Sequence, residues 1–184
     1  MQSGEFDSIS GSVAQKDRMG GGTNWVVTLF ILLMPIAATI SAITHSIVFG
    51  FHWIDIILLG IFYVVVGITV TGGYHRCFAH KTYEARWPLR LWYAVMGAAA
   101  VEHSAIVWSA THRVHHRYSD QEGDPHSSRE GMFWAHCGWM FKNEKPPLAK
   151  VPDLLDDPIL RWQHKHILTL TIFAGFGLPI FVGI

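Results

Sequence analysis

The chain alternates between long stretches without charge and short stretches dense in it. No Asp, Glu, Lys or Arg occurs from Gly20 to Ile54, or from Ile56 to His75. The apolar part of the first stretch, residues 25–49, exceeds the roughly 20 residues that cross a hydrocarbon layer as a helix. Residues 56–75 predict a second membrane helix. A short link around residues 50–53 makes the two an antiparallel transmembrane hairpin. Pro35 falls inside the first helix, which membrane helices tolerate. Residues 91–101 are apolar but short for a span, so they predict a helix embedded in the bundle or lying at the interface, starting at Trp87-Pro88. A further helix is expected over residues 104–118, broken by Gly123-Asp124-Pro125. Residues 133–141 are aromatic-rich and predict an amphipathic interfacial helix. Residues 142–158, with four prolines, read as a polar connection. Residues 167–184 read as the start of a third span. The expected architecture is all-α and membrane-integral: a polar tail over 1–24, then a partial membrane domain over 25–184.

Composition agrees. Half of the residues are hydrophobic and 15% are charged, against about 25% in soluble domains. The formal net charge of zero argues against a nucleic-acid partner, which calls for a basic surface. The first apolar run is too long for a signal peptide and reads as a retained span. The link between the two spans has no Lys or Arg, whereas residues 76–165 carry twelve and the tail has Lys16 and Arg18. The positive-inside rule then places residues 76–166 on the cytoplasmic side. Cys77 and Cys137 form no CxxC pair, so no disulfide framework is expected, and Cys77 reads as a core filler.

Twelve histidines are the unusual feature. The first cluster, H-R-C-F-A-H, holds His75 and His80 at the end of the second span. Positions five apart differ by about 140° on a regular α-helix, so the two reach one centre only if the helix bends or ends there. The second cluster, H-R-V-H-H, holds His112, His115 and His116. Spacings of three and four keep these within an arc of about 100°. Grouped imidazoles suit iron, zinc, copper or nickel. Five exceed the needs of one tetrahedral zinc, which favours a dinuclear site of unfixed element. On a helix continued back to 101, Val101, Ala105 and Trp108 share the His112 face and form an apolar strip toward it. Glu102 and His103 are ionisable groups in an apolar setting, suited either to a substrate's polar group or to a network of their own. Asp124 or Asp120 is placed to orient a ligand imidazole. His136 reads as structural, His164 and His166 as interfacial, and His45 and His52 as remote.

With these motifs in view, the sequence resembles the membrane acyl-CoA desaturases of the stearoyl-CoA or delta-9 type. The matching runs are H-R-C-F-A-H at 75–80, K-T-Y-E-A-R-W-P-L-R at 81–90 and H-R-V-H-H-R-Y-S-D at 112–120. E-G-D-P-H-S at 122–127 and W-A-H-C-G-W-M at 134–140 continue the likeness. The resemblance implies a four-span fold with a cytoplasmic cap holding two irons. It implies O2-dependent introduction of a cis double bond into a long-chain fatty acyl thioester such as acyl-CoA. Two electrons would come from a donor protein of the cytochrome b5 or ferredoxin type. By resemblance, His75, His80, His112, His115 and His116 are iron ligands, Trp108 lies near the acyl tunnel, and Arg129 meets the acyl carrier's polar head. The membrane would be the bacterial inner membrane or the endoplasmic reticulum.

The sequence also departs from the family. Its third box, H-x-x-H-H, does not occur in these 184 residues, so the chain reads as the N-terminal part of such an enzyme. Ala110 and Thr111 stand where relatives often carry polar or charged groups. The alternatives are a related membrane diiron hydroxylase, a metal-binding membrane protein without catalysis, and an inactive desaturase-like fragment.

Overall fold

The computed structural model describes residues 22–142 and 146–183. Of the tail expected over 1–24, residues 1–21 lie outside the described residues, as does Ile184. Among the described residues the fold is all-α, and its one extended pairing is an isolated antiparallel bridge between Thr23 and Lys142. The chain divides into two compact units, 1–51 with 114–145, and 52–113 with 146–184.

In the first unit, α1 runs over Trp25–Phe49. The Asn24 side chain caps it by accepting the Val27 N–H at 3.2 Å. The polar side chains inside the helix bond back to it, as Thr39 Oγ1 does to the Pro35 carbonyl and Ser46 Oγ to that of Ala42. Pro35 is accommodated without ending the helix, which stops at Gly50 with φ 86°. No residue of α1 is buried. An unburied, uncharged, 25-residue apolar helix needs lipid for its solvent. Its foot is tied down by the Asn24 N–H, which donates to the Phe141 carbonyl at 2.8 Å. The expected interfacial helix over 133–141 is two pieces instead, a helix Met132–His136 and a 3₁₀ turn Gly138–Phe141. Cys137, at φ −145°, breaks the helical path between them. Gly138 lets the chain fold back, because a Cβ there would stand 3.1 Å from the Phe133 ring.

In the second unit, α2 covers Trp53–Ile68 and continues without interruption as a π-helix over Thr69–Ala79. The combined element, 27 residues, starts ahead of the expected Ile56 and passes the expected end at His75. Together with α1 it makes two helices long and apolar enough to cross a membrane. Helix α3, Trp87–Gly97, opens with Pro88 in its first turn. Helix α4 spans Ala105–Tyr118. The third apolar run is helical from Ile167 to Gly183, with a π segment over Ile172–Gly177. It is bent by 80° from the preceding helix, Pro158–Lys165.

The core of this unit is built around Tyr74, Phe78, Tyr93, Ile106, Val151 and Leu160. Two glycines permit its close packing. A Cβ on Gly73 would lie 2.6 Å from the Tyr93 ring, and one on Gly97 would lie 2.3 Å from that of Tyr74. The buried Gln163 amide donates to Tyr74 Oη at 2.6 Å and to the Ala94 carbonyl at 3.2 Å, and accepts the Ala105 N–H at 3.1 Å. One side chain thereby joins the π-helix, α3 and α4. The connection over 142–158 is also more than a polar linker. It forms a short helix, Pro152–Leu155, and buries Val151 and Leu154 in the core. Cys77 is buried in the same cluster, as a core filler should be.

Replacing Gln163 by Leu strands three buried polar groups at a cost of about 1–3 kcal/mol each. The denaturation midpoint of the detergent-solubilised protein should fall sharply, whereas substituting the exposed Trp162 should change it little.

Candidate metal centre

The first histidine cluster depends on how its helix is wound. An α-helix closes on i to i−4 hydrogen bonds, but here the chain has widened to i to i−5. The His80 N–H donates to the His75 carbonyl at 3.0 Å, which is one such bond. This winding places residues five apart one above the other, as α-winding does for residues four apart. The separation expected on a regular helix is therefore removed, and the His75 and His80 rings meet edge to face with centroids 4.6 Å apart. His80 also ends the helix.

The second cluster rides on α4. The Ser104 hydroxyl accepts the Val107 N–H at the start of this helix, and Ser104 is also hydrogen-bonded to His164 Nδ1 at 2.7 Å. Two turns further on, the His112 ring lies 4.7 Å from that of His75. His80 Nε2 and His112 Nε2 are 3.0 Å apart. The ligand nitrogens of His75, His80 and His112 all lie within 4.8 Å of one another. His116 follows His112 by four residues on the same helix, and so projects on the same side. Converging imidazole nitrogens are the donor set of a divalent transition metal, and the residues fit such an ion.

Trp108 walls this cluster. Its ring stacks on His112 at 4.7 Å and meets His75 edge-on at 6.2 Å. Its indole Nε1–H donates to the Glu102 carboxylate at 2.9 Å, so Glu102 is engaged with Trp108, where the sequence had offered His103 as its partner. Val101 does not share the His112 face, because a left-handed turn with φ 60° at Val101 and 68° at His103 precedes α4. Ala105 lies on α4 but is fully buried in the core. The apolar strip from Val101 is thus interrupted, and Trp108 is the member of it that reaches the histidines.

His115 belongs to a separate group in the other unit. Its Nδ1 is 2.8 Å from Asp124 Oδ1. The Asp124 carboxylate also accepts the backbone N–H groups of Asp120 and His126, at 2.9 and 3.1 Å. Burial pushes the Asp124 carboxyl up, but the hydrogen bond from His115 and the two backbone donors outweigh it and hold the group below its usual range. An ionised carboxylate only accepts, so Nδ1 is the donor and Nε2 is the nitrogen left for a metal. The His126 ring stacks on His115 at 4.1 Å, and its other neighbour is Trp139 at 5.2 Å. Burial is the largest of the causes that lower the His126 pKa. Nothing in the spacing of His126 marked it for this place, and only the turn through Gly123 and Asp124 brings it there. Asp120 instead receives the Ser128 N–H and hydroxyl. Arg129 is exposed, its N–H held by Ser127 Oγ. His136 is exposed, and His166 Nδ1 donates to the Trp162 carbonyl.

The sequence matches a family model described as fatty acid desaturase over residues 51–184. It is 37% identical over 163 residues to acyl-CoA desaturase 1 of Saccharomyces cerevisiae, covering 86% of this chain and 31% of that protein. It is 33% identical over 144 residues to the delta(9)-fatty-acid desaturase fat-6 of Caenorhabditis elegans, covering 75% and 42%. It is 36% identical over 126 residues to stearoyl-CoA desaturase 5 of Bos taurus, covering 65% and 38%. The chain spans less than half the length of these curated relatives.

The Asp124 bond should be visible without metal. Nitrogen-15 NMR of the chelator-treated protein near neutral pH should find His115 in the Nδ1-protonated tautomer. Asp124→Leu should abolish that preference, and an unchanged tautomer ratio would show that Asp124 does not set it.

Proposed function

The chain belongs to the fatty acid desaturase family, and from that premise we propose that it supplies the first two histidine boxes of an enzyme that introduces a cis double bond into a long-chain fatty acyl thioester, probed first as acyl-CoA. The observation that carries this reading is the convergence of His75, His80 and His112 beside the end of an apolar, lipid-length helix. In this reading His75, His80, His112, His115 and His116 are ligands to two irons. Irons held there would supply O2 activation and hydrogen abstraction from an unactivated methylene, with two electrons from a cytochrome b5-type or ferredoxin-type donor.

The protein's own residues position and shield. Asp124 holds the proton on His115 Nδ1 and so keeps Nε2 available. Trp108 covers one face of His112 and excludes water from it, and Glu102 keeps the indole in that place. The acyl chain approaches along the apolar side at Trp108, with Ala105 behind it and Val101 at the turn above. Arg129 is assigned to the polar head of the acyl carrier. The excess of Lys and Arg over residues 76–165 supports a cytoplasmic side for this face, in either the endoplasmic reticulum or the bacterial inner membrane. Residues that hold a metal and a chain in a fixed mutual geometry contribute to rate chiefly by orientation.

The test is metal and product analysis together. The chain purified in detergent should carry iron, and His80→Ala and His112→Ala should each deplete it. Membranes in which the enzyme is active should gain monounsaturated acyl chains, and lose that gain with either substitution. Iron-free protein would contradict the metal reading, and hydroxylated acyl chains as the product would contradict desaturation.

A further inference from the structure

Arg113 lies between the histidines of the second box, yet its side chain serves the first. Its Nε donates to the Ala79 carbonyl at 2.9 Å and its Nη2 to the Phe78 carbonyl at 3.0 Å. These are the last two residues of the π-helix that bears His75. Carbonyls at a helix end lack partners within the helix and carry partial negative charge. The guanidinium satisfies both needs. Its outer edge meets Asp153 in a fork, Nη1 to Oδ1 at 2.7 Å and Nη2 to Oδ2 at 3.0 Å. Lys81, the residue after His80, reaches the same carboxylate at 2.8 Å. Asp153 comes from the connection between the second box and the third apolar run, a segment whose sequence carried no sign of such a role. The Arg113 hydrogen bond is the largest of the effects that hold its carboxyl far below the usual range.

We propose that Arg113, braced by Asp153, is a positioning residue that fixes the separation of the two histidine boxes and hence the geometry of the metal centre. This rests on the reading of His75, His80 and His112 as metal ligands. His112 is the neighbour of Arg113 on α4, and His80 directly follows the carbonyls that Arg113 holds. Any change in this attachment therefore moves His80 against His112, whose ring nitrogens are 3.0 Å apart. Lysine cannot replace arginine here, because a point charge with a flexible stem cannot hold two carbonyls and a carboxylate in one plane.

The test is titration of the chelator-treated chain in detergent with Co(II) alone, followed by its visible ligand-field spectrum, alongside far-ultraviolet circular dichroism and apoprotein melting. Asp153→Asn and Arg113→Lys should bind Co(II) about 10–100-fold more weakly, as losses of groups that orient ligands do. Both should shift the spectrum while keeping helix content, and Asp153→Glu should recover most of the affinity. If Arg113→Lys loses helix content, the Asp153 pair carries the test. Wild-type affinity and spectrum in Asp153→Asn, with or without a lower melting temperature, would reduce the pair to a structural brace and overturn the inference. Failure of the wild-type chain to bind Co(II), or binding undiminished in His112→Ala, would overturn the metal reading itself.

Discussion

The candidate metal centre depends on the winding of residues 69–79. In an α-helix His75 and His80 diverge; in the π-helix that forms there they stand on one side, where His112 meets them. π-Winding is rare and is associated with functional sites, so something must hold it. Tyr74, inside the segment, is fixed by the Gln163 amide and seated against Gly97. Gly73 allows Tyr93 to close on the backbone. Arg113 takes up the final carbonyls. Packing, a buried hydrogen bond and a charged cap thus act on the same eleven-residue segment. These contacts come from α3, α4 and the 146–165 region, so the ligand geometry is written into the core of the unit.

The apolar helices show the complementary constraint. α1 buries none of its residues, and Trp25, Trp53 and Tyr63 are largely exposed. Such surfaces are stable where the solvent is hydrocarbon with an interface that accommodates aromatic rings. The histidines therefore form at the end of a lipid-length apolar element. Around the histidines, the acidic side chains each have a named partner. Glu102 takes the Trp108 indole, Asp124 takes His115 and two backbone donors, and Asp153 takes Arg113 and Lys81.

Much of this was legible from residue order. Charge-free runs fixed the existence of the long helices, because a charged side chain in hydrocarbon is costly. The three-and-four spacing of His112, His115 and His116 needed only α-periodicity, and α4 has it. Asp124, one of two carboxylates expected to orient a ligand, is the one bonded to His115, while Asp120 is taken by Ser128. The misses share a cause. The charge-free run ends at Arg76, and π-winding, which leaves no mark in residue order, carries the helix past it to Ala79. The left-handed turn at Val101 and His103 occurs at residues without the glycine that usually announces it, and the apolar strip drawn through Val101 failed there. Asp153 and Gln163 act on residues 40 and more positions away, and residue order gives no sign of such contacts.

The central claim is that the two histidine boxes bind metal as one imidazole-rich centre. Iron-edge X-ray absorption of the iron-loaded chain in detergent tests it most directly. A shell of several nitrogens at about 2.0–2.2 Å, with the multiple-scattering signature of imidazole and a lower imidazole count in His80→Ala, is the predicted result. An oxygen-only shell, or a spectrum that His80→Ala and His112→Ala leave unchanged, would contradict it.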